Sequence, residues 1–262
     1  MSEKKRIILE EMTWPEVREA LDKGMRIVII PAASIEQHGP HLTLITDALL
    51  GANAAYALAL KLGNALVAPV IRPGLSSHHM SFPGTLTLRP ETFAALIEDY
   101  ITSYVRHGFK IIILMSAHGG NTQTILKLVP ELRRKFKDTT IIATVEVPTI
   151  DELEHITKLA GLPMGACGGH ADDRETSEML HLAPRYARMS QAKQGFVGKL
   201  DEKTLNKFFE QGVTALSDTG VVGDPRNANA ERGAWYIKQT IDRLERDVRD
   251  QLRKEGIEIE SS

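Results

Sequence analysis

Short apolar segments alternate with longer amphipathic segments along the first half of the chain. The apolar runs are rich in β-branched residues and occupy residues 25–32, 65–70, 110–116 and 139–147. Each run is short and lacks a 3.6-residue period, so each predicts a buried strand rather than a helix. Strands that alternate with helices imply right-handed βαβ crossovers. The pattern therefore predicts an α/β fold, with a mostly parallel β-sheet flanked by helices on both faces.

Helix signals separate and follow these strands. Thr13 is a suitable N-cap before Trp14-Pro15-Glu16, and Gly24 ends that helix. Further helices are predicted at residues 47–62, from residue 90 onward, and at 121–136, 150–159, 173–182, 202–215 and 227–255. The second half is less regular, but no Pro/Gly/Ser-rich linker or repeat divides it from the first. We therefore expect one domain over residues 1–262.

Composition limits the classes of partner. With 42% hydrophobic residues, the 262-residue chain can bury a substantial core. Its 32 basic and 34 acidic residues leave a net charge of -2, without the basic excess that nucleic acid binding requires. The N-terminal segment mixes charges, and no long uncharged apolar run occurs elsewhere. We therefore expect no secretory signal and no membrane span, and a cytoplasmic location.

Six of the nine histidines follow predicted strands, together with several acids. Ligand sites in open α/β sheets lie beyond the carboxyl ends of the strands, so these residues are expected to converge. Neutral imidazole and carboxylate are ligands of Zn²⁺, Mn²⁺ and Fe²⁺, and a carboxylate can bridge two such ions while a hydroxide completes the pair. The candidates are Glu36, His38, His41, Asp47, His78, His79, His118, His170, Asp172, Asp173 and Glu175.

Taken singly, these residues have simpler explanations. Asp47 could cap a helix, Glu36 could be a solvated charge, and His118 could be a loop histidine. Their combination favours a metal site, because the two glycines after His118 permit the backbone to come close to a bound ligand. Cys167 is an alternative nucleophile that lies three residues before His170. It belongs to no recognisable Cys/His triad, so we expect Cys167 to be a small buried residue without a catalytic role.

Five segments, in order, resemble the signatures of the creatininase family of metal-dependent amidohydrolases. EQHGPHLTLITD is similar to E-x-H-G-P-H-L-P-x-x-T-D, with Thr43 where proline is common, and SAHGGN is similar to N-G-H-G-G-N. SSHHMSFPGTLTL, GGHADDRETS and GVVGDPRNANAERG are similar to the F-P-G-T, H-A-G-E-x-E-T-S and G-V-x-G-D-P segments. The matches run from about Ile30 to Gly233, so they are more specific than any single pair of ligands.

The resemblance implies a creatininase-like fold with a binuclear centre of two divalent ions, Zn²⁺ or Mn²⁺, with Fe²⁺ as an alternative. By position, Glu36 and His118 resemble the ligands of one ion and His38 a ligand of the other. Asp47 resembles the bridging ligand and is expected to be essential for catalysis. A hydroxide shared by the two ions would attack the substrate.

One departure from the family pattern shifts a ligand. Creatininase itself has a glutamate ligand where this chain has Gly120, so Glu175 is expected to supply the remaining carboxylate. His170 resembles the family's proton-shuttling catalytic histidine. Substrate contacts are expected from His79, Asn121 and Asp173, whereas no role is expected for His78.

The substrate stays open between two classes of hydrolysis. The family cleaves amide bonds in creatinine, formamides and peptide precursors, and it also contains a hydrolase that opens keto-inositol rings at a C–C bond. In this family a creatinine pocket uses aromatic residues near the loop that corresponds to the one around His170. Creatinine is therefore disfavoured, because the two tryptophans of this chain, Trp14 and Trp235, do not lie near that loop in the sequence. Asp172, Asp173 and Arg174 predict a polar rim that would suit a polyol, although the acids could simply begin a helix. Amide hydrolysis is the first hypothesis and ring opening of a 3-dehydro-scyllo-inosose type substrate the second.

Other classes of function remain compatible with the same ligands. A divalent ion with histidines and carboxylates also supports proton transfer beside a carbonyl, as in a metal-dependent sugar isomerase. A non-catalytic scaffold stabilised by metal is a further alternative. A small molecule is the expected partner, and the resemblance additionally implies a homo-oligomer, commonly a hexamer in this family.

Overall fold

The computed structural model describes residues 6–259. The first five residues belong to the N-terminal segment in which no secretory signal is expected, and they lie outside the described residues. The chain first forms helix α1, Trp14–Asp22. The predicted helix start is confirmed, since the Thr13 backbone N–H donates to the Glu16 carboxylate at 2.7 Å in a capping box. Gly24 follows the helix with a φ of +88°, a conformation that favours glycine.

A four-stranded parallel sheet forms the centre of the molecule. Its strands lie in the order β2-β1-β3-β4 and comprise β1 (Ile27–Ala32), β2 (Ala65–Val67), β3 (Ile111–Ser116) and β4 (Thr140–Val145). All six residues of β1 are buried, because β1 has a strand on each side and helices above and below. The predicted α/β architecture is therefore confirmed.

Helices cover both faces of the sheet. They include α2 (Thr46–Leu62), α3 (Pro90–His107), α4 (Gly119–Lys135) and α8 (Ala230–Lys254). α2 leads from β1 to β2, whereas α3 and α4 carry the chain back past β1 to β3 and β4. Right-handed crossovers in opposite directions place their helices on opposite faces. Accordingly α8 packs with α2 on one face, and α3 packs with α4 on the other.

The outer edge of β4 is closed by side chains. Alternate carbonyls of this strand point away from β3, and each accepts a hydrogen bond from a helix side chain. The donors are Arg133 Nε, Gln251 Nε2 and an Arg243 guanidinium nitrogen, at 2.6, 2.8 and 2.8 Å from the carbonyls of Ile141, Ala143 and Val145. These bonds satisfy acceptors that could otherwise pair with a strand of another chain.

The second half supplies shorter elements. They are α5 (Ile150–Leu159), β5 (Cys167–His170), α6 (Asp173–Leu182), α7 (Glu202–Gln211) and β6 (Val222–Gly223), with β5 and β6 paired antiparallel. Short 3-10 turns occur at Leu9–Glu11, Ser77–His79, Pro184–Tyr186, Met189–Gln191, Val213–Ala215 and Pro225–Asn227. Within residues 6–259, no helix is both long enough and apolar enough to cross a membrane.

Two predicted helix boundaries are wrong, for local reasons. The helix predicted to reach residue 215 ends at Gln211, because Gly212 adopts a φ of +85° and a 3-10 turn follows. The helix predicted from residue 227 begins at Ala230, since the Asn229 side chain caps it by accepting the Arg232 N–H at 2.9 Å. The β5–β6 pair was not predicted, because β5 is a four-residue, glycine-containing segment without apolar alternation.

Gly233 tests how closely α6 and α8 approach. A Cβ added at Gly233 would lie 1.9 Å from the Ser177 carbonyl oxygen, which is backbone and has little freedom to move. In an unconstrained helix, Gly→Ala stabilises by roughly 1 kcal/mol. We expect Gly233→Ala to destabilise the protein instead, by about 2 kcal/mol or more, as measured by urea unfolding. A stabilised Gly233→Ala protein would show that the two helices pack less tightly than described.

Candidate metal centre

The expected ligands meet where the strand order reverses. The chain leaves β1 in one direction through α2 and leaves β3 in the other through α4, so a crevice opens between the carboxyl ends of these neighbouring strands. Glu36 and His38 lie on the loop after β1, and Asp47 lies in the first turn of α2. His118 occupies the N-cap position of α4, two residues after the end of β3. Glu175 reaches the same place from α6.

Two groups of buried ligand atoms share Asp47. Glu36, Asp47 and His118 form one group, and His38, Asp47 and Glu175 form the other, with the ligand atoms of each group within 4.8 Å of one another. Asp47 Oδ2 lies 3.2 Å from His118 Nδ1, while Asp47 Oδ1 lies 2.9 Å from His38 Nε2. The two carboxylate oxygens thus face different histidines, as a bridging carboxylate would require.

The sequence allowed Asp47 to be an N-cap, and the geometry excludes that role. Ile45 occupies the N-cap position of α2, and Asp47 is the second residue of the helix. Asp47 is buried, with 5% of the residue exposed. Its carboxylate faces His38 and His118 instead of the helix backbone. A buried carboxylate needs a compensating charge, so its position favours a ligand.

In the described part of the chain, the buried atoms His38 Nε2 and Asp47 Oδ2 contact only other members of the cluster. The other nitrogen of His38, Nδ1, lies 3.1 Å from the Glu36 carbonyl oxygen, and His118 Nε2 lies 3.1 Å from the Leu75 carbonyl oxygen. Such backbone contacts orient metal-binding histidines and leave the opposite nitrogen for the ion. This donor set fits divalent cations.

Charge coupling within the cluster is strong. Burial lowers the pKa of His38, but Asp47 and Glu175 together with Glu36 raise that pKa to about 10. Burial also lowers the pKa of His118, but Glu36 and Asp47 raise it to about 9. The pKa of Asp47 is pulled down by His38 and His118 despite its burial. Without an ion the histidines therefore act as the countercharges, and a bound cation would have to displace their protons.

Glu175 is held in place by its surroundings. The Ala171 N–H donates to Glu175 Oε2 at 2.6 Å, and an Arg174 guanidinium nitrogen lies 3.4 Å from Glu175 Oε1. Ala171 adopts a φ of +50°, which is strained for a residue with a side chain. This conformation turns the Ala171 N–H toward the carboxylate. Burial is the main cause that raises the pKa of Glu175, to about 7.

His170 faces the same cluster. Its Nδ1 lies 3.7 Å from Glu36 Oε1, and Glu36, His38 and His170 form a third group of potential ligands. His170 Nε2 lies 2.8 Å from the Gln37 carbonyl oxygen and 2.9 Å from Gln37 Nε2. Because Gln37 Nε2 also lies near His79 Nδ1 and the Gly220 carbonyl oxygen, which can take both amide hydrogens, we assign the ring proton to His170 Nε2, which donates to the Gln37 carbonyl and leaves Nδ1 as a base. Burial and then the nearby His38 keep the pKa of His170 well below its ordinary value, which favours a neutral ring.

Gln37 connects the histidines and was missed by the sequence analysis. Its Nε2 lies 2.7 Å from His79 Nδ1 and 3.1 Å from the Gly220 carbonyl oxygen, and its Oε1 accepts the Gly39 N–H at 2.9 Å. Donation to His79 Nδ1 leaves the Nε2–H of that ring pointing to Glu36 Oε1, 3.4 Å away. A glutamine between two expected ligands carries no charge, so only its position in the EQH segment could have indicated this role.

Both histidines after β2 line the cavity. His79 was expected there, and it is 1% exposed beside Glu36 and His170. His78 was expected to have no role, yet it stacks on His118 with ring centroids 5.7 Å apart and an interplanar angle of 10°. The two rings also contact Phe208 of α7. The 3-10 turn Ser77–His79 therefore links the cluster to the apolar side of the cavity.

Asn121 and Asp173, both expected to contact substrate, do not line the cavity that contains the cluster. The Asn121 side chain accepts the Leu75 N–H at 2.9 Å and donates to the backbone of Ala33 at 3.0 Å, so it fastens the loops after β1 and β2. Asp173 is buried and accepts hydrogen bonds from Arg232 at 2.7 Å and Tyr236 at 2.9 Å. Neither residue is therefore part of the proposed substrate site.

The polar rim expected from Asp172, Asp173 and Arg174 is absent from the cavity lining, because all three side chains turn inward. Asp172 accepts the Glu175 N–H at 3.0 Å and caps α6. Arg174 is 1% exposed and pairs with the carboxylates of Glu146 at 3.2 Å and Glu178 at 3.1 Å. These three side chains therefore offer no polar rim to a polyol.

Cys167 is unsuited to be a nucleophile. The residue is buried in β5, and its Sγ lies 3.5 Å from the Tyr236 hydroxyl. Burial, reinforced by Asp172, raises the pKa of the thiol to about 12. The thiolate is the reactive form of cysteine, so a raised pKa disfavours covalent catalysis.

Replacement of Gln37 by leucine tests its connecting role. Gln37→Leu leaves the Gly220 carbonyl oxygen, the Gly39 N–H and His79 Nδ1 without this partner, so we expect a loss of stability of about 2–3 kcal/mol in thermal or urea unfolding. The nitrogen-15 shifts of the His79 ring should also change, because the amide no longer fixes its tautomer. Unchanged stability with unchanged ring shifts would contradict the role.

The chain is similar to one protein family and to several known proteins. The family model described as creatininase, creatinine amidohydrolase, matches residues 10–248. A mycofactocin precursor peptide peptidase of Mycolicibacterium smegmatis is 30% identical over 229 residues, covering 84% of this chain and 85% of that protein. A 3-dehydro-scyllo-inosose hydrolase of Thermotoga maritima is 28% identical over 265 residues, covering 95% and 84%.

The fold has solved counterparts. A mutant creatininase described as of zinc–zinc type superposes with a TM-score of 0.81 at 22% identity, covering 94% of this chain and 98% of the other. At this identity the similarity establishes the fold alone. The family model spans most of the chain and is the basis of the assignment: this protein belongs to the creatininase family of metal-dependent amidohydrolases.

Proposed function

We propose that this protein hydrolyses a C–N amide bond in a small molecule with the aid of two divalent ions. Glu36 and His118 would hold one ion, His38 and Glu175 the other, and Asp47 would bridge them. The observation that carries the proposal is the position of Asp47 between two buried ligand groups. Carboxylate and imidazole donors without thiolates suit Zn²⁺, Mn²⁺ or Fe²⁺.

When bound, a pair of such ions lowers the pKa of water and polarises a carbonyl oxygen. The protein's own contribution is a rigid, buried set of ligands. Backbone groups hold these ligands in place, since His38 Nδ1 contacts the Glu36 carbonyl oxygen and Glu175 Oε2 accepts the Ala171 N–H. Pre-oriented groups in a site of low dielectric need no rearrangement during the reaction.

His170 is placed to move the proton that amide hydrolysis requires. In the balanced reaction, the oxygen of water bonds to the acyl carbon, the C–N bond breaks, and the amine leaves with an added proton. The Gln37 carbonyl fixes His170 Nε2–H and leaves Nδ1 toward the cluster. A neutral Nδ1 can take a proton from the attacking water and pass it to the departing nitrogen.

Hydrolysis of a C–C bond in a keto-inositol is the second candidate. The similarity to a 3-dehydro-scyllo-inosose hydrolase over 95% of the chain favours it. Reconstituted protein should be screened with linear amides, lactams and keto-inositols in ¹⁸O-labelled water. An amine and a singly labelled carboxylate support amide hydrolysis, whereas a labelled ring-opened acid without amine supports the second candidate. Exchange of a carbon-bound proton without net hydrolysis would point to an isomerase.

Asp47→Ala is expected to remove both ions and all measurable turnover, because one residue serves both ligand groups. Metal content after dialysis, measured by atomic emission, checks the first result, and the amide assay checks the second. Asp99→Ala is the matched control, since Asp99 is exposed on α3 and does not line the cavity that contains the cluster. A fully active Asp47→Ala protein that retains two ions would contradict the bridging role.

His170→Asn is expected to lower kcat by roughly 100- to 10,000-fold while two ions per chain remain bound. The reason is that Nδ1 moves a proton and is not required as a ligand in this proposal. Metal content and steady-state kinetics should be measured on the same preparation. Loss of an ion in His170→Asn would instead make His170 a ligand of the third group.

A further inference from the structure

The cavity at the cluster is much larger than the cluster itself. Its volume is about 780 Å³, and its wall includes Glu36, Asp47, His118, His170 and Glu175 at one end. Cavities of roughly 300–1,000 Å³ typically enclose ligands of drug size. A single six-membered polyol ring would occupy only a small part of this space.

Away from the cluster, two largely apolar walls bound the cavity. α7 and the segments next to it form one wall, and the start of α4 with the loop after β4 forms the other. The apolar members are Leu200, Leu205, Phe208, Phe209 and Leu216 on the first wall and Leu126, Val147, Pro148 and Ile150 on the second.

Two of these side chains stand open to solvent. Phe209 is 46% exposed and Leu126 is 44% exposed, and both face the cavity. No buried residue occurs in α7, although its apolar side chains share one face. Apolar side chains held open beside a catalytic cluster gain free energy when an apolar ligand covers them, at about 25 cal/mol per Å² removed from water.

Several polar side chains that line the cavity are already engaged. Arg243 donates to the carbonyls of Val145 and Glu146, and Gln251 donates to that of Ala143. Asp247 accepts from the Thr144 hydroxyl at 2.6 Å. These groups serve the edge of β4, so few polar contacts remain there for the hydroxyl groups of a polyol.

We infer that the substrate is an amide whose acyl or amine part carries a bulky apolar group, seated between α4 and α7. This inference rests on the proposed function, because the scissile amide must reach the cluster while the apolar group lies between the two apolar walls. Phe209 and Leu126 would act as specificity-determining residues on the two walls. A small keto-inositol would leave these walls wet.

Two hydroxamates that share one metal-binding group provide the test. Acetohydroxamate has a methyl group, whereas 4-phenylbutyrohydroxamate extends a phenyl ring by three methylene groups. Their affinities for the metal-loaded protein are measured by calorimetry at one pH and one salt concentration. We expect the phenyl compound to bind at least tenfold more tightly.

Variants then locate the difference. Leu126→Ser/Phe209→Ser is expected to reduce the affinity ratio at least threefold. Leu159→Ser serves as the control, because Leu159 is 59% exposed on α5 and does not line this cavity. The control should keep the wild-type ratio. If the wild-type protein shows the expected affinity ratio and the double variant keeps it, Leu126 and Phe209 do not form the walls that bind the phenyl group, and the inference is overturned.

The outcomes separate the inference from the proposed function. If both hydroxamates bind with equal affinity, the metal cluster stands and the apolar substrate class is wrong. If neither binds to the metal-loaded protein, the proposed function fails and the inference fails with it. Tighter binding of the phenyl compound that depends on Leu126 and Phe209 supports both.

Discussion

The burial of three carboxylates and three imidazoles in one small volume is the constraint on which the site depends. The carboxyl groups of Glu36, Asp47 and Glu175 lie at a depth where water cannot screen a charge, and His38, His118 and His170 surround them. Buried charges must be paired or coordinate metal. The shifted pKa values of His38 and Glu175 express this coupling in the absence of an ion. In the proposed function, divalent cations would replace the shared protons as countercharge.

The parallel sheet creates this volume. Because β1 and β3 are neighbours whose connections run in opposite directions, their loops part and leave a crevice at the carboxyl ends. The crevice is then fastened by groups that do not line the cavity. The Asn121 amide joins the loops after β1 and β2, and Gln37 joins the histidines to the Gly220 loop. Precision in the ligands thus comes from hydrogen bonds around them as well as from the sheet.

Much of the fold was predictable, because buried parallel strands and amphipathic helices leave strong periodic signals. The strands at β1, β3 and β4 and the helix α2 followed from such signals. The convergence of Glu36, His38, Asp47, His118 and Glu175 was predictable from motif order and from the rule that strand ends converge. The orientation of side chains was not. The sequence Asp172-Asp173-Arg174 indicated a polar rim, yet capping, an ion pair and a buried charge network turn all three inward. Gln37 escaped notice because an uncharged amide gives no chemical signal until its neighbours are known.

Anomalous diffraction from crystals of the metal-loaded protein tests the central claim most directly. The account predicts two peaks per chain, roughly 3.5–4 Å apart as in other two-metal sites, with one Asp47 oxygen beside each. A single peak, or two peaks with the Asp47 carboxylate in contact with neither, would contradict the shared-carboxylate centre.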